Sequence, residues 1–480
     1  MAQPILPGVY IEVRPEALIV PGPITVGNIG IVGTARNGPI GEVKVLGSYA
    51  ESREVFGAYD AFDSPETANH PLTLVRALEL AYANGATTVL AVRVSGTEAA
   101  GDAENLIAAW GTFTTARKAS RNVASAGGVA AILKAKYHGT AGNSIKITVA
   151  DAGANAIVTI RAGAVEEIYT VATGTALVAQ VNAGSEILTA AAGAQAAEKP
   201  SVAAEAAFAG GANGADAVDA DHKLGLEQLL NENAHIIVAA GLDDTVIADE
   251  LKAHVETAST DKIKRDRIAV VGSRPNATLA QILGHNVASD RMIFVAPGIK
   301  TTDAASTKSD KTVTLSGAYA AAAVAGLISA RDPHVSPTNK TISVASLETK
   351  FTPPQLEQLV TARVLSLEER RGFRVVKGIT TDDGAFRQIT TRRIVDFAKF
   401  GVRSASDPYI GLLNNDRVRK ALKGSINGFL AEMVNDEMLI SYELDVTATR
   451  DEEIRGIARV TMTLRPTFSI DFIKVVMFLG

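Results

Sequence analysis

Chemistry in this chain would have to come from seven histidines, from carboxylates and from glycine-rich turns, because the sequence has no cysteine. The missing thiols remove disulfides, thiolate metal ligands and cysteine nucleophiles together. The histidines, at positions 70, 138, 222, 235, 254, 285 and 334, show no HExxH spacing and scatter over predicted helices, strands and loops, which gives them structural or surface roles. Gly33-Thr-Ala-Arg-Asn-Gly38 has the glycine spacing of a phosphate loop, but Pro39 stands where the mechanism needs lysine followed by serine or threonine. Without that ammonium group the phosphates have no charge partner, so the stretch reads as a turn. Gly210-Gly211-Ala-Asn-Gly214 does not lead from a strand directly into a helix and reads as a linker turn. Asp382-Asp383-Gly384 reads as an Asp-Gly turn between a strand at Arg374 and the run at Ile389, not as a cation loop. No GxSxG elbow and no evident carboxylate pair appear. The residues predict no catalytic site, no metal and no cofactor.

The elements that would position any such groups fill a long chain. Its 480 residues predict about three domains, with 47% apolar and 21% charged residues as in ordinary globular proteins. The most apolar stretch, Leu315 to Ile328, is too short to span a bilayer, so no membrane insertion is expected. Prolines 4 and 7 and the lack of a basic leading region do not suit a signal peptide, so the protein is expected to stay in the cytoplasm where it is made until lysis or a dedicated machine releases it. The net charge of −5 argues against direct nucleic-acid binding. Charge is uneven: Val360 to Lys423 holds 14 Lys or Arg against 7 Asp or Glu, so the rest of the chain is acidic. Two surfaces with different partners, or simply a solvated basic face, would account for this.

Val9, Ile11 and Val13 alternate with Tyr10, Glu12 and Arg14, which predicts a strand. Pro15, Pro21, Gly22 and Pro23 then form a tether that can be neither helix nor central sheet. Such an isolated strand must pair with a sheet edge in its own subunit or in a neighbour. From Ile24 to Val94 the pattern is strand, helix, strand, with Ser64-Pro65 as the helix start and Leu72, Val75, Leu78 and Tyr82 on one helical face. The rhythm returns in the apolar strands Ile236–Ala240, Ile268–Val271 and Met292–Ala296, with helices marked by Val246, Ile247, Leu251 and Val255, by Ala277 to Val287, and by Gly317 to Ala330. Continuous apolar strands alternating with amphipathic helices describe an α/β sheet covered on both faces. Between these stretches, Gly96 to Asp216 is rich in Ala, Gly, Thr and Val and reads as an inserted small β-rich domain, although its composition also fits a poorly ordered loop.

After Pro353 a further α/β unit is expected. Leu356, Leu359, Val360, Val364 and Leu367 suggest one helix, Arg374 to Thr380 a strand, and Val418, Leu422, Ile426, Phe429 and Met433 another helix. Two strands with one wet face follow, carrying Ile440, Tyr442, Leu444 and Val446, then Val460, Met462 and Leu464. The last predicted strand, Phe468 to Leu479, is apolar on both faces: Phe468, Ile470, Phe472, Val476 and Phe478 point one way, Ile473, Val475, Met477 and Leu479 the other. Left free it would aggregate, so it must be buried in its own domain or in the next subunit.

Several of these stretches together resemble the contractile tail sheath family of phages and related injection machines. Pro7-Gly8-Val9-Tyr10-Ile11-Glu12 is similar to the family's N-terminal arm. Gly139-Thr-Ala-Gly142-Asn143, leading into Ile145 to Val149, resembles its Gly-x-x-Gly-Asn turn, with Ala141 where an aromatic is often found. Phe208-Ala-Gly-Gly211-Ala-Asn-Gly214 resembles its junction back to the core. Ser316-Gly317-Ala-Tyr319 and the loop from Ala330-Arg331-Asp332-Pro333-His334 through Ser336-Pro337-Thr-Asn339-Lys340 resemble its Ser-Gly helix and Pro-Asn loop. The pattern from Phe351 onward is also sheath-like, without the tryptophan-rich segments of some branches.

The resemblance implies a multi-domain mixed α/β (α+β) protein with an α/β sandwich core and extended terminal strand arms. Its parts would be an N-terminal linking arm (1–23), the first part of the core (24–95), an inserted β-rich domain (96–216), the second part of the core (217–350), a tube-proximal C-terminal domain (351–466) and a C-terminal linking strand (467–480). It implies a structural subunit, not an enzyme, stacked as hexameric rings in a virion tail assembled in the bacterial host cytoplasm. The partners implied are other copies of itself, the tail tube protein, and baseplate and tail terminator proteins. Residues Val9, Tyr10, Ile11, Glu12 and Val13, and Phe468, Ile470, Phe472, Ile473, Val475, Val476 and Phe478, would add strands to adjacent subunits. Arg419, Lys420 and Lys423, placed on one side of a helix whose other side carries Val418, Leu422 and Phe429, are the candidates to face the tube. The competing reading is a nucleotide- or sugar-processing α/β enzyme forming a discrete oligomer.

Overall fold

The computed structural model describes residues 27–59, 62 and 72–478, so the predicted N-terminal strand at Val9–Val13 and the helix start at Ser64-Pro65 lie outside the described residues. Two compact units emerge. The larger takes Gly27–Arg331 and Pro337–Gly384, and the smaller takes, among described residues, Asp332–Ser336 and 385–478.

The larger unit is organised by strands β1 (Ile29–Thr34), β2 (Val43–Leu46), β3 (Val89–Val94), β4 (Ile236–Ala239), β5 (Ile268–Gly272), β6 (Met292–Ala296), β7 (Thr341–Ile342), β8 (Leu365–Glu369) and β9 (Phe373–Val375). They form one sheet in the order β7-β9-β8-β6-β5-β4-β1-β3-β2. The central strands from β8 to β3 run parallel; β2 closes one side antiparallel, and β9 and then β7 extend the other antiparallel. β3, β4, β5 and β6 are buried along their whole length, as a parallel sheet covered on both faces requires. On one face lie α3 (Asp219–Gln228) and α4 (Asp244–Ala258), whose Leu226, Ile247, Leu251 and Val255 join the main core with Val92, Ile237 and Phe294. α6 (Gly317–Ser329) is buried at every position up to Ile328 and packs against both the strands and α2 (Leu74–Ala83). Only small residues permit this approach: a Cβ on Gly326 would stand 2.2 Å from the Ala81 carbonyl oxygen.

Several elements differ from expectation. α2 begins at Leu74 after Thr73. The helix read across Ala277 to Val287 shortens to α5 (Leu279–Leu283), ended by Gly284. The helix read through Leu367 is α7 (Pro353–Thr361) only, because Arg363 takes a left-handed backbone (φ 67°), after which Val364 packs in the core and Leu367 belongs to β8. The C-terminal domain expected from residue 351 therefore gives its first strands to the core sheet, and the division between units falls at 384/385.

The stretch from 97 to 214 forms short antiparallel sheets around Val123, Leu133, Ile147, Val158, Ile160, Leu177 and Phe208. Two motifs far apart in sequence close this region. The Asn143 side chain donates to the Gly211 carbonyl (2.8 Å) and accepts from the Gly211 N–H (2.9 Å), while Asn213 Oδ1 accepts from the Thr140 N–H at 2.9 Å. The region is latched to β3 by Arg93, fully buried, whose Nη1 donates to the carbonyls of Gly38 and His138, each at 2.7 Å. Burial, with no carboxylate to offset it, lowers the Arg93 pKa to about 9.

Two histidines tie protonation to this fold. His254, on α4, accepts a hydrogen bond from Arg267 Nη1 at 3.0 Å, which requires a neutral ring, and burial with the Arg267 charge lowers its pKa to about 3. Burial, then Lys118 and Arg93, lowers His138 to about 4. A histidine depressed below its unfolded value of ~6.5 contributes stability above that pH and loses it as pH falls, because the unfolded chain takes up protons the native state refuses. The urea midpoint is expected to drop from pH 6.5 to 4, and His254→Gln should reduce that slope. An unchanged slope in the variant would refute the assignment.

Candidate interaction surface

In open α/β sheets, ligands usually sit where strand order reverses, here beyond the carboxyl ends of β1 and β4. That crevice is filled by the chain itself. Thr34 and Thr73 bond reciprocally, each N–H donating to the other's hydroxyl at 3.2 and 3.0 Å. A Cβ on Gly33 would already lie 2.8 Å from Ala240 Cβ, and one on Gly241 would lie 2.8 Å from the Tyr319 hydroxyl. Phosphate oxygens have no room there. Among the described residues no group of three or more His, Asp or Glu side chains is placed to hold a metal ion.

The unsatisfied chemistry lies in the smaller unit. α8 (Ile389–Ser406) and α9 (Asp416–Asn435) pack on each other through Ile394, Ala398, Ala405, Ile426, Phe429, Leu430 and Met433. Gly401 admits the Phe429 ring where any Cβ would clash at 1.9 Å. α8 was not anticipated from sequence, where Ile389 was read as a run following a turn; its Ile394, Phe397, Ala398, Gly401 and Ala405 carried a helical period that would have found it.

Against α9 lies a hairpin of β10 (Leu439–Thr447) and β11 (Arg459–Pro466), which pair only with each other among the described residues. Tyr442, Leu444 and Val446 face the helices as expected, but a register shift after Leu439 turns Ile440 outward, 65% exposed. Two strands alone form a marginal sheet with backbone donors and acceptors open on both outer edges.

Beyond Pro466 the predicted final strand is not formed in the single chain: 467–478 has no regular structure. Leu479 lies outside the described residues. Backbone bonding to the β10 side ends with the Thr467 N–H on the Met438 carbonyl (3.1 Å), and no Asn-Gly turn follows that could fold the segment back on β11. Phe468, Ile470, Phe472, Ile473, Val475, Val476, Met477 and Phe478 are all 59–92% exposed. A contiguous apolar ribbon of this kind marks an interaction site.

The three cations expected on one exposed face do not share one. Arg419 is buried and holds the unit together, pairing with Asp416 (2.5 Å) and Glu453 (3.0 Å) and donating to Asn414 Oδ1 (2.9 Å). Lys423 pairs with Asp445 of β10 at 3.2 Å, and Lys420 is exposed. Helical spacing alone did not reveal that the short helix Arg450–Ile454 brings Glu453 over Arg419.

Truncation after Thr467 is expected to lower binding of an apolar dye such as ANS while leaving the melting temperature unchanged. Arg419→Ala should lower that temperature, and Lys420→Ala should not. A large loss of stability on truncation would show instead that the tail packs on its own chain.

Residues 210–381 match the phage tail sheath protein central domain, and residues 381–479 match the phage tail sheath C-terminal domain. A comparison with curated proteins found no match. Among solved structures the chain is similar to the sheath tail protein of Desulfitobacterium hafniense, with TM-score 0.67, 17% identity and coverage of 96% of this chain and 100% of that one. The sheath tail protein of Listeria innocua gives TM-score 0.65, 15% identity and coverage of 94% and 97%. The helical sheath of the anti-feeding prophage in its contracted state gives TM-score 0.55, 15% identity and full coverage of both chains. With both family domains matched in order over 210–479, the chain belongs to the phage tail sheath family, which is structural and not enzymatic.

Proposed function

We propose that the protein stacks as hexameric rings into a helical sheath around a tail tube, and that contraction of this sheath drives the tube through a target envelope. The observation that carries the reading is the exposed tail beside an open hairpin. Covering eight large apolar side chains is worth on the order of 10 kcal/mol at ~1.5–3 kcal/mol each, while fixing the backbone of the segment costs a similar amount at ~1–2 kcal/mol per residue. Apolar contact alone therefore roughly balances, and the backbone bonds of a sheet edge decide the outcome, which favours strand addition over loose contact. In this account Phe468–Phe478 of one copy, and the Val9–Val13 arm of another, extend the β10–β11 hairpin of a third.

Strand links of this kind let subunits rotate as rigid bodies without letting go of one another, so contraction would need no nucleotide. Related solved structures include an extracellular contractile injection system sheath and an anti-feeding prophage baseplate, consistent with self-association and a baseplate as partner. The tail tube, met by Lys420 and the half-exposed Lys423, and a tail terminator complete the partners. Assembly would occur in the host cytoplasm and the product reside in the tail, without direct nucleic-acid contact or membrane insertion.

The test is to express the full chain alone, with versions starting at Ile24 or ending at Thr467, and to image all three by negative-stain electron microscopy. Long striated tubes from the full chain that are missing from both shortened versions are expected. Uniform compact particles from all three would contradict assembly through the terminal arms.

A further inference from the structure

A second surface, unrelated to the tail, lies at the β7–β9 edge of the core sheet. There Arg370 Nη2 and Arg374 Nη1 both donate to Asn339 Oδ1, each at 3.2 Å, and Arg374 Nη1 also reaches the Asn339 carbonyl at 3.0 Å. Two guanidinium groups thus converge on one neutral oxygen. Arg370 is offset by Glu368 at 3.0 Å, whereas Arg371, Arg374 and Lys340 have no ion pair among the described residues. Asn339, Arg370, Arg371 and Arg374 line a cleft of about 520 Å³. Arg371 (φ 53°) holds a left-handed backbone that such residues rarely adopt, and this turn presents its side chain at the cleft beside Asn339. What this cleft lacks is an anion that can take paired N–H groups, which is the geometry of a carboxylate.

The same unit carries the complementary surface. From Asp216 to Asp261 there are 11 Asp or Glu and only two basic residues, Lys223 and Lys252. α3 and α4 pack side by side there, joined by the Lys223–Glu250 pair at 3.3 Å, and expose Asp219, Glu227, Asp249 and Glu256. Asp249 and Glu256 are seven residues apart and so share one face of α4.

We infer that the Asn339–Arg371–Arg374 cleft of one copy receives carboxylates from the exposed α3–α4 face of a second copy. A basic site and an acidic face at different places on one unit make a heterologous contact, which propagates instead of closing into a symmetric dimer. This rests on the sheath-subunit reading and adds a salt-sensitive contact between the bodies of subunits, independent of the arms.

The full chain would be compared with Lys340→Glu/Arg371→Glu and with Asp249→Lys/Glu256→Lys, all exposed side chains with no side-chain partner among the described residues, so the fold should survive; circular dichroism checks it. Assembly is read by sedimentation and electron microscopy over a series of sodium chloride concentrations. Each variant alone is expected to yield at least tenfold fewer tubes than the unaltered chain, and an equimolar mixture of the two should restore them, because each reversed cleft then meets a reversed face. Lys340→Glu/Arg371→Glu tubes forming with normal yield and salt response would overturn the inference while leaving the sheath reading intact. So would a loss that the mixture does not repair, since the cleft would then face some other anion. If the unaltered chain fails to assemble at any salt concentration, the sheath reading itself falls, and the inference with it.

Discussion

The β10–β11 hairpin and the residues that follow it set the terms for the rest of the structure, because among the described residues no further strand joins either. Among the described residues the hairpin pairs with no further strand, and the tail carries eight large, mostly exposed apolar side chains in no sheet. Each supplies what the other lacks. The last backbone bond between the two runs from the Thr467 N–H to the Met438 carbonyl at 3.1 Å, and beyond it 468–478 has no regular structure. A protein built this way is stable as two folded units and incomplete as a surface.

The larger unit has the opposite character. Its parallel strands are buried on both faces, α6 is held by close backbone approach, and the crevice where such folds usually bind ligands is filled by Thr34, Thr73 and Tyr319. In a fold often used for nucleotide chemistry, the usual binding crevice is here closed by the chain's own side chains. The buried Arg93 latch and the Asn143–Gly211 pair extend that close packing into the inserted sheets.

Legibility in the sequence followed burial. β4, β5 and β6 were read nearly to the residue because strands covered on both faces become uninterrupted apolar runs. β2, at the sheet edge and half wet, gave no such run and was missed. Leu365–Glu369 was merged into a preceding helix because Val364 and Leu367 fit a helical period by chance, while the left-handed turn at Arg363 that separates them carries no glycine to announce it. The resemblance found the family; the residues alone would have stopped at an α/β protein without a catalytic motif. Arg419 looked like a surface cation because its carboxylate partner Glu453 lies 34 residues away and is brought close only by tertiary structure. The apolar tail was legible as a segment needing burial, since both of its faces are hydrophobic, but no pattern within one chain specifies the edge on another that would receive it.

Hydrogen–deuterium exchange on residues 468–478 and on β10 and β11, compared between dispersed and assembled protein, tests the central claim most directly. The account predicts tail amides that exchange at the rate of an unstructured peptide in the dispersed chain and become protected by several orders of magnitude in the assembly, together with the outer edges of the hairpin. Tail amides already protected in the dispersed chain, or still unprotected in the assembled sheath, would contradict it.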